Sequence, residues 1–335
     1  MATSDGFPTA IVATFTCVYF LVFLLSIAGN SFVRCLCFKL KRPPCSLKWF
    51  IANLAVADLA FTTLSILDLI NFLWTWIGGQ FSCKAQSFVI ETCYTTSIMT
   101  LVLISFERLQ AVVEPFSVRF ITTEGAHRKL IAMWISSIII ASPLLYAYQA
   151  QVDASGTVFC TNIKFGDMGR QIYYSIHAVC FFIFPLIYMI YAQWNIFLSL
   201  RSGVFPTQNS LETGCTVQRH HKVARILAAL TVAFAICWSP FVVVRTLMYF
   251  HLTDGGYIWR ASQLLILLNT ALDPILYGIY GANFKRYLLG LFKCTNFQPS
   301  TRKETFGREK RKRQRTDIVH VEQVYDLNVL ELVDK

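Results

Sequence analysis

Five acids sit where acids are costly. Asp58, Asp68, Glu91, Asp273 and the acid of the Glu107-Arg108 pair all lie within or at the end of long apolar stretches. A carboxylate removed from water needs a cation, a proton or several hydrogen-bond donors. Four prolines, Pro143, Pro185, Pro240 and Pro274, share those stretches. Each removes a backbone hydrogen bond and kinks a helix. Kinked helices around buried carboxylates suit a conformational switch, a transporter or a channel. Catalysis has no support. The chain carries no phosphate-cradling glycine motif, no HExxH and no nucleophile–base arrangement. His220-His221 is a poor metal pair, because adjacent residues on a helix point about 100° apart. Inverted repeats would mark a transporter, and the two halves of the chain show none.

The composition says what must position these groups. Of 335 residues, 55% are hydrophobic and 15% charged, with a mean hydropathy of +0.50. Soluble domains carry about a quarter charged residues. The deficit comes from long runs: Ile11–Val33, Leu130–Val152, Gln171–Leu200 and Ile226–Val244 contain no Asp, Glu, Lys or Arg. Three more runs are interrupted only by the acids above. A helix crosses a bilayer core with about 20 apolar residues. Seven membrane helices are therefore predicted, at about 10–38, 47–73, 83–113, 130–149, 171–200, 223–249 and 258–279.

Lys and Arg set the orientation. With the N-terminus outside, twenty-four of the 30 basic residues fall on the inner side and four on the outer side. The net charge of +11 is then a cytoplasmic-face signal and not a nucleic-acid footprint. The opening MATSDGFPTA has no basic segment of the kind a cleaved signal peptide carries. Only Cys83 and Cys160, of eleven cysteines, fall on the oxidising side, and one disulfide between them is expected. The connection from Arg201 to Lys222 reads as a polar, mobile inner loop, and 150–170 as the longest outer loop.

The expected organisation is a short outer segment 1–9, a seven-helix bundle 10–282, an amphipathic helix 283–294 on the inner leaflet and a disordered cytoplasmic tail 295–335. Cys294 is a palmitoylation candidate. The tail holds a basic run, Arg308–Arg315, suited to anionic lipid, and a Val- and Leu-rich end.

At the level of motifs the chain resembles the rhodopsin-like, class A G-protein-coupled receptors. The matching residues appear one set per helix and in order: Gly29-Asn30; NLAVADL from Asn53; WIGGQFSC from Trp76; Glu107-Arg108 with Pro115; Trp134 and Pro143; Phe182 and Pro185; FAICWSP from Phe234; NTALDPILY from Asn269. The resemblance implies an all-α bundle of seven transmembrane helices plus the short eighth helix, in the plasma membrane. It implies coupling to a heterotrimeric G protein, with arrestin and membrane lipids as further partners. Asp58, Ser97, Asn269 and Asp273 match a cluster that holds an allosteric sodium ion in the resting state. Ile98, Pro185, Phe234 and Trp238 match the packing switch under the ligand. Pro274 and Tyr277 match the switch of helix seven, and Glu107 is expected to hold Arg108 at rest.

Several positions depart from the family pattern. Cys93 stands where many members have Asn, which weakens the sodium site. Gln193 replaces a tyrosine that meets the helix-three arginine on activation. His220 replaces an acid that pairs with it at rest. Both inner changes imply raised basal signalling. Leu109, where many members have tyrosine, is expected to face lipid or the second inner loop.

The ligand is expected within the bundle, because the outer segments are short. Helix seven has no Lys, which excludes a retinal Schiff base, and Ile90 stands where amine receptors have an acid. By family position Asp68, Glu91, Tyr94, Tyr174, His177, Phe241, Arg245, Trp259 and Gln263 line one cavity. This aromatic, mixed-charge lining suits a short peptide; a small molecule or lipid is the alternative, as is a receptor with high basal activity and no identified ligand. Glu91 either meets a cationic ligand group or pairs internally, with Arg245 or by hydrogen bonds.

Overall fold

The computed structural model describes residues 8–39, 46–113, 123–154, 156–201 and 210–280. The amphipathic helix 283–294, Cys294, the tail and residues 1–7 lie outside the described residues, and for Tyr277 and His220 only the helical backbone lies within them.

The described residues form seven long helical segments. Helix one is Thr9–Lys39, helix two Ser46–Leu73 and helix three Gly79–Val113. Helix four is Thr123–Ala141 with a one-turn continuation Leu144–Ala147. Helix five runs Gly166–Ala178, a π-helical turn Val179–Ile183 and Phe184–Arg201. Helix six is Ser210–Tyr249 and helix seven Gly256–Tyr280. The first six are long and apolar enough to cross a membrane. The seventh, interrupted by Arg260 and Asp273, closes the bundle between helices six and one. Lipid-facing positions stay apolar: Leu24, Ile139, Ile236 and Trp194 are all more than 60% exposed.

Several predicted boundaries change. Helix three starts at Gly79 and helix five at Gly166, each several residues early. Helix four starts at Thr123, breaks at Ser142-Pro143 and, after its last turn Leu144–Ala147, ends short of 149. The chain there turns into a strand, β1 Gln149–Val152, paired antiparallel with β2 Val158–Thr161. The expected outer loop is thus a hairpin. Ser210–Lys222, predicted as mobile loop, begins helix six, as no proline follows Pro206 before Pro240.

In lipid, every backbone group must find its partner inside the protein. Proline takes away the N–H that would satisfy the carbonyl four residues earlier. Three such carbonyls are recaptured. Asn30 Nδ2 donates to Thr270 O, freed by Pro274, at 2.8 Å. Tyr94 Oη donates to Phe181 O, freed by Pro185, at 3.4 Å. Ser142 Oγ donates to Ile139 O, freed by Pro143, at 2.8 Å. Helix hydroxyls such as Thr16, Thr92 and Thr231 donate to the carbonyl four residues back by the same necessity.

Candidate ligand site and switch

Polar chemistry runs down the bundle axis from the hairpin end. The Cys83–Cys160 disulfide joins β2 to the start of helix three, as expected from the sequence. Trp76 N donates to Val158 O at 2.8 Å, and Ala150 N donates to Gln80 Oε1 at 3.0 Å. The connection between helices two and three and the first turn of helix three therefore brace the hairpin on both strands.

Beneath the hairpin lies a charged layer. Glu91, 7% exposed, brings Oε1 to 3.0 Å from His177 Nδ1 and Oε2 to 3.7 Å from Arg245 Nη1. The short approach to His177 lacks hydrogen-bond geometry, and Glu91 Oε1 and both His177 ring nitrogens have no hydrogen-bond partner among the described residues. The Arg245 guanidinium lies on the rings of Tyr174 and Phe241, at 4.4 and 4.8 Å. Glu91 makes the internal contact with Arg245 that the sequence offered as one of its roles. On the opposite wall Asp68 lies beside Gln86 and Arg260. Arg260 covers the ring of Phe72 at 4.7 Å, and its Nη1 reaches Gln263 Oε1 at 3.5 Å. Trp259 stacks on Phe241 at 5.1 Å. The expected lining residues thus fall into two charged groups, Glu91, His177 and Arg245 with their aromatic rings, and Asp68 and Gln263 with Arg260. Arg260 and Gln86 were not anticipated, since their roles depend on which residues of other helices they meet.

The floor of this layer is aromatic. Tyr94 stacks on Trp238 at 4.1 Å, Trp238 lies 6.1 Å from Phe234, and Phe234 lies 5.7 Å from Phe182. Ile98 is buried beside them, whereas Pro185 itself is only half-buried. Below is a cavity of about 10 Å³, lined by Asp58, Ser97, Asn269 and Asp273 with Cys93, Ile98, Phe234 and Trp238. Asp58 Oδ2, Asp273 Oδ2 and Asn269 Oδ1 are buried there without a hydrogen-bond partner among the described residues. Three convergent orphan oxygens around a space of that size form a site for one small cation or water.

At the far end Arg108 is buried, and its Nε has no partner among the described residues. The expected hold of Glu107 on Arg108 is corrected: Glu107 Oε1 pairs with Lys129 Nζ of helix four at 2.7 Å. Neighbours in sequence diverge around a helix, so the two side chains meet different helices. Gln193 is buried, and neither of its amide atoms has a hydrogen-bond partner among the described residues. Leu109 does not face lipid: it packs against Val112, Ile196, Leu200 and Ala224, where helices three, five and six meet.

A seven-helix membrane bundle with a covered polar mouth, an ion-sized acid cavity and a buried arginine at the far end is a membrane receptor of the switching kind. Residues 29–277 match the family described as 7 transmembrane receptor (rhodopsin family), and the chain belongs to that family. It is a multi-pass membrane protein and a signalling receptor, not an enzyme. Similar proteins include a QRFP-like peptide receptor of Branchiostoma floridae, 27% identical over 82% of this chain and 76% of the relative. Human neurotensin receptor type 1 is 25% identical over 83% of this chain and 75% of its own. The growth hormone secretagogue receptor type 1 of Sus scrofa is 25% identical over 89% and 85%.

Proposed function

We propose that this receptor takes a short extracellular peptide into the charged layer beneath the hairpin and activates a heterotrimeric G protein at the Arg108 end. The carrying observation is the pair of charged poles, Glu91–Arg245–His177 and Asp68–Arg260, about an aromatic wall. A peptide side chain that is cationic can exchange for Arg245 at the buried Glu91 carboxylate or share the half-buried Asp68 with Arg260. A neutral lipid gains nothing from either pole. The peptide reading also draws on the relatives, among them a mouse pyroglutamylated RF-amide peptide receptor, 26% identical. Peptides ending in Arg-Phe-amide are accordingly the first to try. The proposed setting is the plasma membrane, N-terminus outside and basic face inside, with arrestin and inner-leaflet lipids as additional partners.

Sodium fits the acid cavity. Two buried carboxylates close together need a cation or a proton, and the orphan oxygens of Asp58, Asp273 and Asn269 supply hard ligands. When bound, sodium would offset one of the two negative charges and hold helices two and seven together in the resting state.

The test is a panel of Arg-Phe-amide, neurotensin-type and secretagogue-type peptides, and neutral lipids, read by G-protein activation in cells. A basic peptide agonist should lose about a hundredfold in potency on Glu91→Gln or Asp68→Asn, the usual cost of removing one partner of a buried charge pair. Unchanged potency in both variants would exclude the polar-pole reading and favour a lipid or neutral small molecule.

A further inference from the structure

Asn162 lies two residues past Cys160, between β2 and helix five, yet it is only 5% exposed. Its Nδ2 donates to Tyr249 Oη at 2.8 Å and to Tyr174 Oη at 3.2 Å. The two phenol rings stack, with centroids 4.7 Å apart and planes 13° from parallel. Gln171 Nε2 donates to the carbonyl of Tyr249, the last residue of helix six, at 3.0 Å. A loop pinned to helix three by the disulfide is thus pinned, two residues later, to the end of helix six.

We infer that Asn162 is a positioning residue, the centre of a clasp with Tyr174 and Tyr249 that holds helix six in its resting place and seats Arg245. Helix six contains Pro240, which removes one hydrogen bond from its middle and leaves a soft point there. Below that point Ala224 is seated against Val112, Ile196 and Leu200, so the far end is closed. A tether made only in this arrangement favours it over any other, and its loss shifts the population away. The clasp also touches the ligand layer, because Arg245 covers the ring of Tyr174. A ligand group that draws Arg245 aside removes one contact from Tyr174 and loosens the clasp. The inference rests on the receptor function proposed above.

The experiment uses full-length receptor in lipid nanodiscs and compares Asn162→Leu, Tyr249→Phe, their double variant and Asn162→Asp. Ligand-free nucleotide exchange on a G protein is measured beside amide hydrogen exchange. Tyr249→Phe raises basal nucleotide exchange about fivefold, the worth of one hydrogen bond, and Asn162→Leu, which removes two, raises it further. The double variant does no more than Asn162→Leu, which already lacks the bond to Tyr249. Asn162→Asp stays near wild type, because both phenols can donate to a carboxylate. Amide exchange rises over 158–163 and over the far half of helix six in the single variants. Wild-type exchange in Asn162→Leu, reduced turnover, or an additive double variant would overturn the clasp. If Asn162→Leu does not fold, Tyr249→Phe, which keeps the ring stack, decides the matter. If no variant and no wild type drives nucleotide exchange, the receptor function fails, and amide exchange alone judges the clasp.

Discussion

Arg108 is 5% exposed, and neither its Nε nor the buried side-chain amide of Gln193 has a hydrogen-bond partner among the described residues. An unsatisfied buried polar group costs about 1–3 kcal/mol, so the resting far end is less than fully stabilised. Two results are expected. Arg108→Ala abolishes agonist-driven G-protein turnover while surface expression stays normal; intact signalling would remove Arg108 from the switch. His220→Glu places an acid in helix six, ten residues after its first, and lowers ligand-free turnover; an unchanged basal rate would show that His220 does not set it. The acid cavity gives a third result. Replacing sodium with choline at constant ionic strength raises basal turnover in wild type and not in Asp58→Asn. Equal sodium dependence in both would place the ion elsewhere.

Among the elements, helix one depends on helix seven more than its apolar composition suggests. A Cβ on Gly29 would lie 2.8 Å from both Cβ and Cγ of Pro274. The same contact brings Asn30 to the Thr270 carbonyl that Pro274 leaves free. Ser26, Thr62 and Thr270 add hydroxyl contacts of 2.8, 2.8 and 3.2 Å. Gly29→Val should therefore separate helices one and seven and lower thermal stability in detergent by several degrees; an unchanged melting temperature would mean that the helices shift without loss. The seven helices were readable because long apolar runs, four of them charge-free and three interrupted only by acids, have one outcome in a bilayer. Their ends were not. Whether 210–222 winds into helix and whether 149–161 pairs as a hairpin depends on neighbours that a local window does not contain.

At the scale of the molecule, the hairpin is held by helix three through Cys83–Cys160, by Thr75 and Trp76 through Val158, and by helix six through Asn162. Loss of the disulfide, as Cys83→Ser with Cys160→Ser, should cost a few kcal/mol and cut surface expression, measured by antibody staining of a tagged chain. The sequence alone determined the class of this protein. Charge-free runs, basic asymmetry and ordered motifs led to a seven-helix receptor, its acid cavity and its disulfide. Each of those signals is carried by residue type and spacing along one helix. Tertiary structure alone decided the partners: Glu107 with Lys129 instead of Arg108, Glu91 with His177 and Arg245, and Asn162 with the tyrosines of helices five and six. The reason is geometric. A helix sets which face a side chain occupies, but the side chain that meets it comes from another helix, whose rotation and depth are fixed only when the bundle packs.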